Sequence, residues 1–372
     1  MPKAISFFAG AGGLDMGIHQ SGFDVKLSVE IEDKFCETLK LNHPEWNVHQ
    51  GDVLEFTKED VYRLSGLSEE EDIDLFIGGS PCQSFSTAGK RDAFEAPGGA
   101  AMLKYADLVT EVQPKAFLLE NVKGLLSAAL KHRPLDKRSK EHAPLDLEEA
   151  PGSALAHLLT HFEGYNITYK LLNAADYGVP QTRERVFMIG IREDLETTFE
   201  FPEPTHSKDG ENGKLPWVTF EDVMNQLMFT NFTYQNYSPD RLKYMKMIPK
   251  GGGNWRDLRK YGENVVKEAM QGAYESGGGK VGFFRRLRLD KPAPTLLTSP
   301  SQKSTNLGHP IEDRPLAIEE YKFIQGFPQD YKLTGSLLEQ YKQIGNAVPV
   351  QLGKVMGKQI LKTIELKVET RA

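Results

Sequence analysis

Hydrophobic runs alternate with amphipathic segments through the first half of the chain. Short apolar runs predict strands at "AISFF", "VKLSVE", "IDLFIG" and "AFLLENV". Apolar positions recur at helical spacing between them, in "GLDMGIHQSG", "DKFCETLKL" and "MLKYADLVTEV". Strands and helices in alternation favour a parallel sheet with helices on both faces. Nearly continuous apolar strands fit a sheet that is covered on both sides. We therefore predict a doubly wound, mostly parallel α/β sheet of the Rossmann-like type.

The carboxyl ends of these predicted strands carry the most informative residues. Ligands of such sheets bind outside the carboxyl ends of the strands. We therefore expect one cleft, lined by the loops after Phe8, Glu30, Gly78 and Glu120.

The pattern changes in the second half of the chain. A charged, proline-containing surface insertion is predicted at 131–152, after which strand patterns return in "YNITYKLL" and "RVFMIGI". Proline, glycine and charge then indicate a linker, "FPEPTHSKDGENGKLPW". The βαβ rhythm does not resume, and the chain ends with a polar loop and an amphipathic helix. We predict a first domain at 1–193, a second, smaller, loop-rich domain with a hinge at 194–337, and a segment at 338–372 that returns to the first domain.

Composition and charge restrict the class of protein. The chain has 372 residues, of which 39% are hydrophobic and 26% charged, as in soluble globular proteins. Its apolar runs are shorter than the roughly 20 residues that cross a bilayer, and its first residues lack the pattern of a signal peptide. We expect a cytoplasmic protein without a membrane contact. The net charge of -7 argues against indiscriminate coating of nucleic acid, yet basic residues cluster at 241–260 and 280–291. These clusters fit either nucleic-acid binding or a solvated surface.

The two cysteines have different surroundings. They cannot form a disulfide framework or complete a thiolate zinc site between them, so no metal is expected. Cys82 follows "GGSP" at the end of a predicted strand, which suits a rigidly held nucleophile whose thiolate is favoured by nearby dipoles or cations. Cys36 lies within a helical apolar pattern, so a buried structural role suits it better.

The first strand ends in a glycine-rich turn, "FFAGAGGLDMG". Glycines there allow a cofactor to approach backbone amides at a helix N-terminus, and a tight strand-to-helix turn is the alternative explanation for them. Glu30 follows about 20 residues later, where nucleotide-binding α/β proteins hold a ribose. Asp52 ends the next short strand and suits either an adenine contact or a helix cap. Each of these positions fits a contact with an adenosine group of the ligand.

Further charged residues flank the later strands. Glu120 ends "FLLENV", where burial would raise the pKa of its carboxyl and allow it to act as an acid. Arg183 and Arg185 precede "VFMIG", and their i, i+2 spacing on an extended segment places them on one face. A salt bridge in the core is the alternative for these arginines.

Taken in order, these segments resemble the DNA cytosine-5 methyltransferase family, in particular bacterial modification enzymes of restriction-modification systems. The similarity extends over 3–193 and 314–360 and rests on "FFAGAGGLDMG", "VEIE", "GDV", "GGSPCQSFS", "LLENVKGLL", "YGVPQTRERVFMIG", "RPLAIEEYKFIQGFPQDY" and "QIGNAVP". It implies a class I catalytic domain that binds S-adenosylmethionine, without a metal. It also implies that 194–337 is a target-recognition domain.

The resemblance assigns roles to individual residues. Cys82 would attack C6 of cytosine, Glu120 would engage N3, Arg185 would contact the base, and Arg183 would support the target strand or the loop. Expected S-adenosylmethionine contacts are Phe8, Gly10, Gly12, Glu30, Ile31, Asp52 and Asn346, with Phe8 and Ile31 against adenine. Expected DNA contacts are Gln83, Ser84, Arg285, Arg286, Arg288 and Lys303.

The implied function is methylation of C5 in a flipped-out cytosine of a specific double-stranded DNA sequence. A monomer associated with the nucleoid through DNA, paired with a cognate restriction endonuclease, is expected. A transfer-RNA cytosine-5 methyltransferase with the same framework is one alternative, although the long basic region between Glu193 and Arg314 favours DNA. A catalytically inactive DNA-binding regulator is another, and the presence of Pro81, Cys82 and Glu120 argues against it.

Overall fold

The computed structural model describes residues 1–81, 85, 93–134, 144–228, 231–275, 282–302 and 306–365. The chain forms two compact units. Unit 1 comprises Met1–Asn173, Glu184–Glu203 and Leu352–Ala372. Unit 2 comprises Ala174–Arg183 and Pro204–Gln351.

Regular elements are found in both units. The strands are β1 Lys3–Phe7, β2 Asp24–Glu30, β3 Val48–Gln50, β4 Leu75–Gly79, β5 Ala116–Val122, β6 Tyr165–Asn173, β7 Gln181–Thr182, β8 Glu184–Arg192, β9 His206–Ser207, β10 Leu215–Pro216 and β11 Ala293–Pro294. The α-helices are α1 Gly13–Gln20, α2 Asp33–Asn42, α3 Lys58–Ser65, α4 Pro97–Val112, α5 Ser153–Leu159, α6 Phe220–Gln226, α7 Pro239–Met247, α8 Glu263–Met270, α9 Ile318–Ile324, α10 Leu337–Asn346 and α11 Val350–Glu365.

A seven-stranded sheet forms the centre of unit 1, in the order β3-β2-β1-β4-β5-β8-β6. The first five strands in this order are parallel, whereas β8 is antiparallel to both β5 and β6. The predicted doubly wound, mostly parallel α/β fold is therefore confirmed.

Aromatic side chains pack the sheet of unit 1 against its helices. The ring of Phe7 in β1 lies 5.4 Å from that of Phe76 in β4 and 5.7 Å from that of Tyr105 in α4. The Tyr105 hydroxyl donates a hydrogen bond to the Leu118 carbonyl at 3.0 Å. This contact ties α4 to β5, so the helix supports the two strands that lead to the candidate site.

Helix α11 packs closely against α1. Its buried apolar positions recur every fourth residue, at Leu352, Met356, Ile360 and Ile364. A β-carbon added at Gly357 would lie 2.2 Å from the Ser21 hydroxyl oxygen. The helix can therefore approach the end of α1 because no side chain projects at this position.

Unit 2 has short elements and a buried ionic network. The Arg286 guanidinium donates to the carbonyls of Met245, Ile248, His309 and Glu312, and it also pairs with the Asp313 carboxylate. Nearby, Arg314 pairs with Glu320 at 2.8 Å and with Glu312 at 2.9 Å. These bonds fasten the end of α7 to the chain that leads into α9.

Two structural features are absent from the described residues. None of the helices found there combines the length and the apolar character that a membrane span requires. No group of three or more His, Cys, Asp or Glu side chains in the same parts of the chain is arranged to hold a metal ion.

Candidate active site

The candidate residues of unit 1 follow the carboxyl ends of neighbouring parallel strands. In the spatial order of the sheet these residues are Asp52 after β3, Glu30 at the end of β2, Phe8 after β1, Pro81 after β4 and Glu120 in β5. Parallel strands present their carboxyl ends at one edge of a sheet. These five positions therefore share that edge.

The glycine-rich turn after β1 has an unusual backbone. Phe8, Gly10 and Gly12 have φ values of 58°, 60° and 81°, in the left-handed region. This region costs little for glycine but strains a residue with a β-carbon, so Phe8 is held there by its surroundings. Gly12 caps the N-terminus of α1 without a side-chain hydrogen bond. The turn thus brings backbone amides to the start of a helix, where electron-rich groups are favoured.

Glu30 connects this turn to the end of β2. Its Oε2 accepts a hydrogen bond from the Gly10 amide at 2.7 Å, and its Oε1 accepts one from the Glu32 amide at 2.9 Å. Burial raises the pKa of the Glu30 carboxyl, and the two amide bonds counteract this effect. The carboxylate is therefore fixed in position, and its remaining lone pairs can accept hydrogen bonds from ligand hydroxyls.

The neighbouring positions differ in exposure. The apolar side chain of Ile31 is 58% exposed, directly after the buried Glu30. Asp52 accepts a hydrogen bond from the Leu54 amide at 3.0 Å and caps the short 3-10 helix Val53–Glu55. The capping alternative for Asp52 is thus realised, and its half-buried carboxylate retains acceptor capacity for a ligand.

Glu120 forms an ion pair with Arg185. The Arg185 Nε lies 3.0 Å from Glu120 Oε1, and the two side chains are 15% and 9% exposed. The antiparallel pairing of β5 and β8 produces this contact, because Arg185 lies opposite Val122, two residues beyond Glu120. This contact is an ion pair and not a hydrogen bond, and the attraction between the two charges holds the carboxyl group next to the guanidinium.

Asn121 holds the corner that precedes Cys82. Its Nδ2 donates to the Ser80 hydroxyl at 2.9 Å and to the Ser80 carbonyl at 3.3 Å, and both residues are buried. Asn121 is not among the residues predicted from the sequence, although a polar side chain within the apolar run "AFLLENV" is a signal for it. Asn121 therefore fixes the end of β4. Cys82 itself lies outside the described residues, as do Gln83, Ser84 and Lys303.

Cys36 has the structural surroundings that its helical pattern predicted. It is buried in α2, and its thiol donates to the Glu30 carbonyl at 3.4 Å. Burial raises the pKa of this thiol to about 12. Because the thiolate is the reactive form, Cys36 is not suited to nucleophilic attack near neutral pH.

Arg183 and Arg185 have separate partners. Arg183 belongs to unit 2, where it is buried and donates to the carbonyls of Leu296, Gly345 and Asn346 at 3.4, 3.1 and 3.3 Å. Arg185 belongs to unit 1, where it forms the ion pair with Glu120.

The expected DNA contacts in unit 2 differ in accessibility. Arg288 is exposed and pairs with Asp290, whereas Arg285 is half-buried. The Arg286 side chain is 0% exposed and bonded to the carbonyls described above. Arg286 therefore stabilises unit 2, and the expectation that it contacts DNA is corrected on this ground: its donor groups are already used inside the protein.

Other cations of unit 2 are exposed and lie against aromatic rings. The guanidinium groups of Arg256 and Arg259 each lie 5.2 Å from the ring of Trp255, and Lys260 lies 4.9 Å from the ring of Tyr261. All three cations are exposed, and none of them has a carboxylate partner within 4.0 Å among the described residues. Their charge is available to an anionic partner.

Comparison with known proteins gives a consistent result. Residues 2–362 match the family described as C-5 cytosine-specific DNA methylase. The chain is 38% identical to the Type II methyltransferase M.Sau96I of Staphylococcus aureus, over 95% of this chain and 74% of the relative. It is also 38% identical to the Type II methyltransferase M.PspPI of a Psychrobacter species, over 97% of this chain and 79% of the relative.

A solved structure shares the fold. The Entamoeba histolytica methyltransferase EhMeth superimposes with a TM-score of 0.63 at 14% identity, over 99% of both chains. The sequence motifs, the strand-edge arrangement and the match across nearly the whole chain agree. The chain therefore belongs to the C-5 cytosine-specific DNA methylase family and is a DNA cytosine-5 methyltransferase of the Type II restriction-modification kind.

Proposed function

We propose that this enzyme methylates C5 of a flipped-out cytosine in a specific double-stranded DNA sequence through a covalent bond between Cys82 and C6. The observation that carries this proposal is the Glu120–Arg185 ion pair at the end of β5. Glu120 lies opposite Gly79 in the register of β4 and β5, three residues before Cys82. A nucleophile and an acid on neighbouring strand ends suit addition to a conjugated ring.

The protein groups have distinct tasks in the reaction. Addition of the Cys82 thiolate to C6 gives C5 the electron density that it lacks in free cytosine. Glu120 hydrogen bonds N3 as charge develops on the ring, and Arg185 holds Glu120 and contacts the base. Once C5 has gained the methyl group, its proton leaves to water, the bond between Sγ and C6 breaks, and the thiolate is restored.

S-adenosylmethionine, the cofactor that the family implies, supplies the electrophilic methyl group. The residues at the carboxyl ends of β1 and β2 fit this molecule. Glu30 is fixed by two backbone amides and accepts the ribose hydroxyls, while the exposed apolar side chain of Ile31 packs against adenine. Phe8 packs against the other face of adenine, and Asp52 accepts from the adenine amine. Gly10 and Gly12 leave the turn open to the ligand.

DNA binding is assigned to unit 2 and the loops near Cys82. The target carbon is inaccessible inside a duplex, so the base must rotate out at a cost of about a few kcal/mol. The exposed cations Arg256, Arg259 and Arg288 support the assignment of 194–337 as the target-recognition domain, because phosphate contacts supply most of the affinity for DNA. Gln83, Ser84, Arg285 and Lys303 remain predicted contacts. Methylation of the host sequence then protects it from a cognate restriction endonuclease, with the methyltransferase acting as a monomer.

Bisulfite sequencing tests this function. DNA from cells that express the protein should carry methylated cytosines in one sequence context, and cells that express Cys82→Ser should not. Methylation without a fixed context, or methylation of transfer RNA and not of DNA, would overturn the proposal.

A further inference from the structure

Asn346 is the last residue of α10, and it is exposed within the otherwise buried segment 344–350, which is called the turn below. From Gln343 to Val350, all residues are buried with the exception of Asn346. The Asn346 side-chain amide has no hydrogen bond to the described residues. Its backbone carbonyl is occupied, because it accepts a hydrogen bond from Arg183. The turn therefore presents one polar side chain outward and fixes its backbone inward.

Gln325 binds this turn from the C-terminal end of α9. Its Nε2 donates to the Ile344 carbonyl at 2.8 Å and to the Ala347 carbonyl at 3.0 Å. The Gln325 backbone carbonyl accepts from the Val350 amide at 3.0 Å, at the start of α11. A side chain that is 0% exposed thus bridges both ends of the segment that contains Asn346.

Gln181 fixes the orientation of the Gln325 amide. The Gln181 Nε2 donates to Gln325 Oε1 at 3.0 Å, and Gln181 Oε1 accepts from the Leu296 amide at 2.9 Å. Gln181 is also fully buried. With Oε1 occupied as an acceptor, the Gln325 Nε2 must face the two carbonyls of the turn. A connected buried network of this kind specifies one arrangement of its members.

Gly345 closes the other side of the turn. A β-carbon at this position would lie 2.4 Å from the Leu297 carbonyl oxygen and 2.9 Å from the Thr298 amide. The turn is therefore in contact with backbone on this side and is tied by Gln325 and Arg183 through its carbonyls. Close packing therefore restricts movement of the turn as a whole.

We propose that Gln325, oriented by Gln181, is a positioning residue that sets the affinity for S-adenosylmethionine by holding the turn that presents Asn346. This inference rests on the proposed function and takes Asn346 as the cofactor contact that the family resemblance implies. Gln325 touches neither cofactor nor DNA in this role. Its loss should weaken cofactor binding while leaving DNA binding unchanged.

The test measures the dissociation constants of S-adenosylhomocysteine and of a DNA duplex for the full chain. Gln325→Met preserves the shape of the side chain and removes its hydrogen bonds, and we expect the cofactor dissociation constant to rise about tenfold. Gln343→Met is the matched control: Gln343 is equally buried in α10, immediately before the turn, but its amide donates to the Thr334 carbonyl outside the turn. This control should lower the melting temperature without changing cofactor affinity.

Two further variants separate the possible outcomes. Gln325→Glu keeps the acceptor for Gln181 and replaces the donor with an oxygen, so it should weaken cofactor binding even if Gln325→Met does not fold. Asn346→Ala should weaken cofactor binding as well. If Asn346→Ala has no effect, the proposed cofactor contact fails. The positioning role is refuted if Asn346→Ala weakens cofactor binding while the folded Gln325 variants bind the cofactor like the wild type. It is also refuted if Gln343→Met weakens cofactor binding as much as the Gln325 variants do.

Discussion

Arg185 Nε and Glu120 Oε1 are 3.0 Å apart across the antiparallel pair β5 and β8. The carboxyl of Glu120 thus has a fixed direction at the edge of the sheet where the candidate residues of unit 1 lie. Because catalysis by a positioned acid depends on geometry as well as on pKa, the guanidinium should contribute to the chemical step more than to folding.

The first prediction concerns this pair. Arg185→Ala should lower the single-turnover rate of methyl transfer about 100-fold, because Glu120 loses the group that orients it. Lys123→Ala is the matched control: Lys123 pairs with Glu184 at 3.1 Å on the exposed surface, where an ion pair contributes little. Equal rates for the wild type and Arg185→Ala would remove this ion pair from the mechanism.

The second prediction concerns Glu30. Glu30→Ala removes the acceptor of the Gly10 and Glu32 amides and the proposed ribose contact, with a loss of about 1.5 to 3 kcal/mol in cofactor binding. The cofactor dissociation constant measured by calorimetry should rise accordingly, and DNA affinity should stay near the wild-type value. A variant that weakened DNA binding alone would show that β2 does not hold the adenosine.

The third prediction concerns Asp15, a buried carboxyl in α1. It accepts hydrogen bonds from Ser6 at 2.9 Å and Ser28 at 2.7 Å, and burial raises its pKa from 3.8 to about 6. A raised pKa means that the folded state binds the proton more tightly than the unfolded state. The contribution of Asp15 to the free energy of unfolding is therefore fully present below about pH 4. This contribution decreases by about 3 kcal/mol as the pH rises through 6.

Urea unfolding of the wild type and Asp15→Asn measures this effect. The difference in unfolding free energy between the two proteins should change in favour of Asp15→Asn between pH 4 and pH 7, because the amide does not ionise. A difference that is independent of pH in this interval contradicts the assigned pKa.

The fourth prediction separates two arginines that are two residues apart. Arg286→Ala should lower the unfolding free energy by about 3 to 5 kcal/mol, because it removes the partner of several buried carbonyls and of Asp313. Arg288→Ala should leave stability nearly unchanged and weaken binding to all DNA sequences together, with a shallower salt dependence. Unfolding curves and DNA titrations at several salt concentrations distinguish the two. Similar stability losses for both variants would contradict the assignment.

Much of unit 1 could be predicted from the sequence, because the patterns that indicate its strands and helices are local. Apolar runs that end in Phe8, Glu30 and Glu120 indicate strands, and parallel strands place their ends at one edge. The structural role of Cys36 could be distinguished from the proposed catalytic role of Cys82 in the same way, since the helical apolar pattern around Cys36 indicates burial.

The functions of buried polar groups could not be predicted, because their partners are distant in the sequence. Arg183 bonds to carbonyls at Leu296 and Gly345, and Gln325 bonds to Gln181. Arg286 and Arg288 have the same side chain in a similar local sequence, yet one is buried and the other exposed. Only the tertiary structure distinguishes a structural arginine from one that is available to DNA.

Covalent trapping tests the central claim most directly. A DNA duplex with 5-fluorocytosine at the target position should form a covalent complex with the wild-type protein in the presence of S-adenosylmethionine, because fluorine at C5 cannot leave as a proton. Peptide mapping of the complex by mass spectrometry should place the bond on Cys82. Cys36→Ala should form the covalent complex like the wild type. Cys82→Ser should bind the duplex without forming a covalent complex. An active enzyme that forms no such complex, or a complex that persists in Cys82→Ser, would contradict attack by Cys82 on the cytosine ring.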